Sequence, residues 1–121
     1  MKKALVSIFA LAMVLSWSLP AAGQTGSNKL NWDLILAAQA GDTKAVGQLL
    51  AEGANIEFRD DAGCTALIDA AQLDHTKVVK LLLDKGVNID AKNNLGETAL
   101  YIADLTSSNE TAKLLRERGA H

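Results

Sequence analysis

Between Asp42 and Gly119 the apolar positions fall into short helical stripes separated by polar, glycine-containing turns. The clearest stripe is Lys77-Val78-Val79-Lys80-Leu81-Leu82-Leu83-Asp84-Lys85, a helix that Gly86 can end by adopting the left-handed conformation without steric cost. Just before it, Thr65 is placed to cap a shorter helix through its side-chain oxygen, leaving Ala66, Leu67, Ala70 and Ala71 to pack. The pattern predicts a turn, a short helix, a tight reversal at Asp74 and His75, and a second helix. One such unit cannot bury its apolar faces alone.

The chain supplies the neighbours by copying the unit. A displacement of 33 residues brings Gly53, Gly86 and Gly119 into one column, Leu49, Leu82 and Leu115 into another, and Leu34, Leu67 and Leu100 into a third. Ala37, Ala70 and Ala103 also align, Gly63-Cys64-Thr65-Ala66-Leu67 returns as Gly96-Glu97-Thr98-Ala99-Leu100, and Gly53-Ala54-Asn55-Ile56 returns as Gly86-Val87-Asn88-Ile89. A constant period that carries both helix interiors and helix ends is the signature of a stacked solenoid.

These motifs resemble the ankyrin repeat family, whose pattern is G-x-T-P-L-H-x-A-A, a leucine-rich second helix and G-A-D/N. The resemblance covers residues 28 to 121 and implies an all-α solenoid of about three helix-turn-helix repeats joined by β-hairpin-like turns. The repeats are expected at about 28–60, 61–93 and 94–121. Ala66 and Ala99 stand where the family prefers proline, and Ile68 and Tyr101 where it prefers histidine; these departures weaken the local turn network and leave the repeat intact.

In the first repeat, helix one is expected to begin near Asn31 or Trp32, after a flexible polar lead-in over 24–30. Leu34, Ile35, Ala37 and Ala38 should face the core, with Trp32 covering the open N-terminal end. Asp42 or Thr43 should cap the second helix, whose buried stripe is Ala45, Val46, Leu49 and Leu50. In the third repeat Val78, Leu83 and Ala71 give way to Thr111, Arg116 and Asp104, a more polar outer side of the kind a terminal repeat requires.

The segment before the repeats has a different character. Met1-Lys2-Lys3, a mostly apolar run from Ala4 to Leu19, and Pro20-Ala21-Ala22-Gly23 read as a signal peptide over residues 1–23, cut after Gly23 or Ala22. Export would place the product in the periplasm or outside the cell, detached from the membrane. The alternative is a structural envelope protein tethered by the same helix left uncleaved, since a spanning helix needs only about 20 apolar residues. Removing Lys2 and Lys3 from twelve basic residues, against fourteen acidic ones, leaves a net charge near −4. A domain so balanced lacks the basic face that nucleic acid binding requires. The lone Cys64 offers no internal disulfide to an oxidising compartment.

The candidate chemistry is sparse. His75 at the reversal reads as structural, and Cys64 has neither a nearby histidine nor a second cysteine for zinc. Asp60, Asp61 and Asp90 are turn residues spaced too widely for a calcium loop. Asn109-Glu110-Thr111 spells a glycosylation triplet but falls at a helix start, where capping explains it better. Asp69 lies, by the repeat plan, on an exposed helix face without a partner carboxylate. No catalytic residue, cofactor or metal centre is implied.

Binding remains, and the resemblance maps a concave surface onto the hairpin tips and the exposed edge of each first helix. Its residues would be Gln39, Asp61, Ala62, Cys64, Gln72, Leu73, Asn94, Leu95, Glu97, Leu105 and Thr106. Among them Leu73, Leu95 and Leu105 are large apolar groups that the repeat does not need to bury, and several on one face point to a partner surface. The implied role is that of a monomeric exported module that binds another protein, as adaptor, chaperone-like helper, or inhibitor or immunity protein.

Overall fold

A computed structural model describes residues 21–120, with side chains from residue 28 onward. The expected signal sequence therefore lies, up to Pro20, outside the described residues. Six helices follow in order: α1 (Ala21–Ala40), α2 (Thr43–Ala51), α3 (Ala66–Gln72), α4 (Thr76–Asp84), α5 (Ala99–Leu105) and α6 (Asn109–Glu117). The first helices α1, α3 and α5 pack side by side as one layer, and α2, α4 and α6 form a second layer behind them. The only bridge among the described residues pairs Lys92 with Thr98 at the base of the second hairpin. The result is the all-α repeat solenoid that the 33-residue period implies.

The expected signals act where the sequence places them. Thr65 accepts the Ile68 N–H at 3.3 Å and Asp42 accepts the Ala45 N–H at 3.1 Å, each satisfying an orphan donor of a helix start. Gly86 closes α4 at φ 86°. The reversals place Gly41, Asp74 and Ser107, one column of the repeat, at φ 74°, 58° and 60°. The two non-glycine members carry the steric cost of that conformation.

Leu34, Leu67, Leu82 and Leu115 anchor a continuous core and are each at most 1% exposed. Alanines at 37, 38, 66, 70, 71, 99 and 103 are buried between neighbouring first helices, where only small side chains let the backbones approach.

Three expectations about local structure need correction. The first helix begins at Ala21, so residues 24–30 continue it instead of forming a coil lead-in. The stretch holds no proline to break a helix once begun, and across the expected boundary Lys29 pairs with Asp33 at 2.7 Å. Asn31, expected near the helix start, instead accepts the Asn55 N–H at 2.7 Å. Trp32 packs edge-on against Phe58, ring centres 5.2 Å apart, and stays 38% exposed.

Thr111 is the second correction. It is fully buried, faces the preceding repeat, donates to Asp74 Oδ1 at 2.7 Å and lies 3.2 Å from the Thr76 hydroxyl. The polar outer side is carried by the other two replacements, for Arg116 Nη2 bonds both carboxylate oxygens of Asp104 at 2.8 Å. The third concerns Asn109, which opens α6 behind an N-cap, Ser108, whose side chain makes no capping bond.

Candidate functional site

The two hairpins preceding α3 and α5 are built on one plan. Asp60 Oδ1 accepts the N–H groups of Ala62 and Cys64, both at 2.9 Å, and 33 residues later Asn93 Oδ1 accepts those of Leu95 and Glu97 at 2.9 and 3.0 Å. Asx side chains fold the backbone over themselves in this way. The hairpins are then joined tip to tip: the Asn94 N–H reaches Ala62 O at 3.0 Å and Asn94 Nδ2 reaches Asp61 O at 3.1 Å. Arg59 extends beneath them to the carbonyls of Gly63 and Lys92. A side chain at Gly63 (φ 78°) would put its Cβ 2.4 Å from Asn94 Oδ1, so the glycine is what lets the tips meet.

On this scaffold Asp61, Ala62, Asn94 and Leu95 are exposed, Leu95 to 81%, and Glu97 is half-buried while accepting from Asn93 Nδ2 at 2.9 Å. Gln72 is exposed at the end of α3, with Leu73, 51% exposed, as its C-cap. Leu105, 61% exposed, ends α5, and Thr106 follows, its hydroxyl donated to Ile102 O at 2.9 Å. The three leucines are thus solvent-facing, as expected.

One assigned surface residue is placed differently, and another is engaged within the fold. Cys64 is buried, 8% exposed, because the hairpin folds over it, so its side chain cannot serve as a surface contact. Gln39 is exposed but already engaged, since its side chain donates to Asp69 at 3.4 Å and its carbonyl meets His75 Nε2 at 2.9 Å. His75 is accordingly a brace between α1 and the second repeat. Leu36 and Tyr101, 58% and 52% exposed, escaped the sequence reading. Both lie in columns whose middle-repeat members, Asp69 and Ile68, are buried.

Asp69 is the clearest departure. It is 6% exposed, and its carboxylate lies with those of Asp60 and the Cys64 thiol in a group whose donor atoms are all within 4.8 Å. Burial first, then the nearby Asp60 charge, raises its pKa from 3.8 to about 6, against the opposing Gln39 hydrogen bond. The Cys64 thiol is pushed up by burial and by the charge of Asp69, which keeps it protonated and unreactive. Three donors are one fewer than a closed zinc site takes, and Asp60 Oδ1 is already spent on two backbone amides. The column mates of Asp69 are Leu36 and Ile102, and the period therefore gave no hint of an acid under the hairpin.

A separate open hollow of about 310 Å³ lies at the helix reversals, lined by Gly41, Thr43, Asp74, His75, Thr76 and Lys77. Its two titratable side chains with obvious chemistry are committed, Asp74 to Thr111 and His75 to Gln39. Among the described residues no helix is long and apolar enough to cross a membrane.

Comparison with known proteins agrees with the repeat geometry. Residues 34–121 match the family model for ankyrin repeats in three copies. A protein of Rickettsia felis described as an ankyrin repeat protein is 49% identical over 45 residues, which cover 37% of this chain and 68% of that relative.

Proposed function

Since the chain belongs to the ankyrin repeat family, a class of protein-interaction modules, we propose that it is an exported, monomeric member that holds a protein partner against the face formed by its hairpins and first helices. The observation that carries this reading is the exposure of Leu73, Leu95 and Leu105, at 51%, 81% and 61%, on elements whose other side is fully committed to the core. Isolated exposed leucines are ordinary, but three on the hairpin and first-helix side of one small domain suit the apolar centre of an interface, with Asp61, Gln72, Asn94 and Glu97 as its polar rim. Such a face can supply much of a standard interface of roughly 800 Å² per partner. The role is adaptor, chaperone-like helper or inhibitor, the last including an immunity protein, and no feature of the site favours catalysis.

The test is capture from a periplasmic extract, identification of the retained protein, and affinity measurement with that protein purified. Leu73→Arg is expected to abolish binding while melting like wild type, because the side chain is half exposed. Lys80→Glu, exposed on α4 in the second layer, should leave it unchanged. A Leu73→Arg variant that folds normally and still binds would refute the placement of the interface.

A further inference from the structure

We propose that Asp60 and Asp69 share a proton that latches the first hairpin to the junction between the first two repeats, so that this junction tightens in mild acid and loosens as pH rises. The geometry assigns the two carboxyls unequal tasks. Asp60 Oδ1 accepts two backbone N–H groups, so its carboxylate serves the hairpin as an acceptor. Asp69 sits beneath it, 6% exposed, with one long hydrogen bond from Gln39 Nε2 on its Oδ2. A buried carboxyl so poorly supplied with donors is the one that holds the proton, and its O–H donates to Asp60. That bond, with the Gln39 amide from α1, ties α1, the hairpin and α3 together.

Arg59, the cation beneath the hairpins, is turned to the carbonyls of Gly63 and Lys92. Cys64 faces Asp69 from the same hairpin and stays a neutral thiol, and Gln39 faces it from α1. From the second hairpin Asn93 Nδ2 lies 3.9 Å from the Cys64 sulfur and carries Glu97 behind it, one more acid. Of the charged groups on the elements packed around Asp69, Asp60 alone acts on it. When Asp69 loses its proton to solvent, two carboxylates face each other under the hairpin and the latch becomes a repulsion.

The sign follows from linkage. The closed state holds the Asp69 proton with a midpoint of about 6 and the open state at the ordinary 3.8, so the latch is fully formed below 3.8 and is lost as pH rises through about 6. Those two midpoints make opening about tenfold more frequent at pH 7.5 than at pH 5. The free protein suffices for the test, so its outcome does not depend on any partner.

Carboxyl-carbon NMR titration of the labelled protein should give Asp69 a midpoint near 6. Hydrogen exchange of the Ala62 and Cys64 amides, corrected for intrinsic rates, should show the tenfold loss of protection between pH 5 and 7.5. Asp60→Asn keeps the hairpin, since Asn93 performs the same task natively in the next repeat; it should lower the Asp69 midpoint and shrink the difference to the part that burial alone supplies. Asp69→Asn should erase it, because an amide can donate to Asp60 at every pH. Titration of wild-type Asp69 in the ordinary carboxylate range overturns the proposal, as does a tenfold difference that survives in Asp60→Asn. Should Asp69→Asn not fold, Asp60→Asn decides alone.

Discussion

Truncating Leu82 to alanine tests whether the repeats act as a stack. Leu82 is fully buried on α4, which packs against α3 of its own repeat, α2 before it and α6 after it. Leu115, in the same column and equally buried, sits on α6, which packs against α5 and α4 and has no following repeat in the described residues. Both changes delete the same carbons, so the transfer term is common and the difference lies in how far each cavity collapses. Walls held on both sides relax little, which puts Leu82→Ala in the upper part of the range of about 2–5 kcal/mol for such truncations. At Leu115 the end repeat can close over the gap, and a loss of about 2–3 kcal/mol is expected. A small domain holds only about 5–15 kcal/mol in total, so Leu82→Ala should bring the urea midpoint down by about a quarter or more with the slope unchanged. Urea melts followed by circular dichroism at low temperature would measure both variants. Equal losses, or a larger one at Leu115, would refute a stack whose centre is stiffer than its end.

Two further outcomes are expected beyond those given for Leu73 and for the Asp60–Asp69 pair. Gly63→Ala should destabilise by about 1–3 kcal/mol in the same melts, because it combines a left-handed backbone with a Cβ 2.4 Å from Asn94 Oδ1; a neutral effect would mean that the hairpin tips are not joined as described. Expressed in a bacterium, the chain should appear in the periplasmic fraction with an N-terminus at Gln24 or Gly23, read by mass spectrometry, whereas a full-length chain in the membrane pellet would sink the export reading.

Much of the architecture is legible in the linear order because its determinants are local or repeated. The caps at Thr65 and Asp42, the stop at Gly86 and the leucine columns each depend on residues three or four positions apart, or on the same residues 33 positions later. A helix start or an apolar stripe needs no knowledge of the rest of the chain. The exposure of Leu73, Leu95 and Leu105 follows in the same way, since each stands outside the stripes that the repeat must bury.

What only the tertiary structure decided are contacts between residues of neighbouring repeats. Thr111 and Asp74 meet across a repeat boundary, and a threonine on an expected outer face becomes a buried donor. His75 reaches Gln39 O, and Asn94 reaches Asp61, by the same route. Asp69 has no acidic counterpart in its column, and its neighbour Asp60 is brought close only when the hairpin folds back over α3. Its burial and its raised pKa arise from desolvation and one nearby charge, and both are properties of three-dimensional distance that a periodic pattern does not contain.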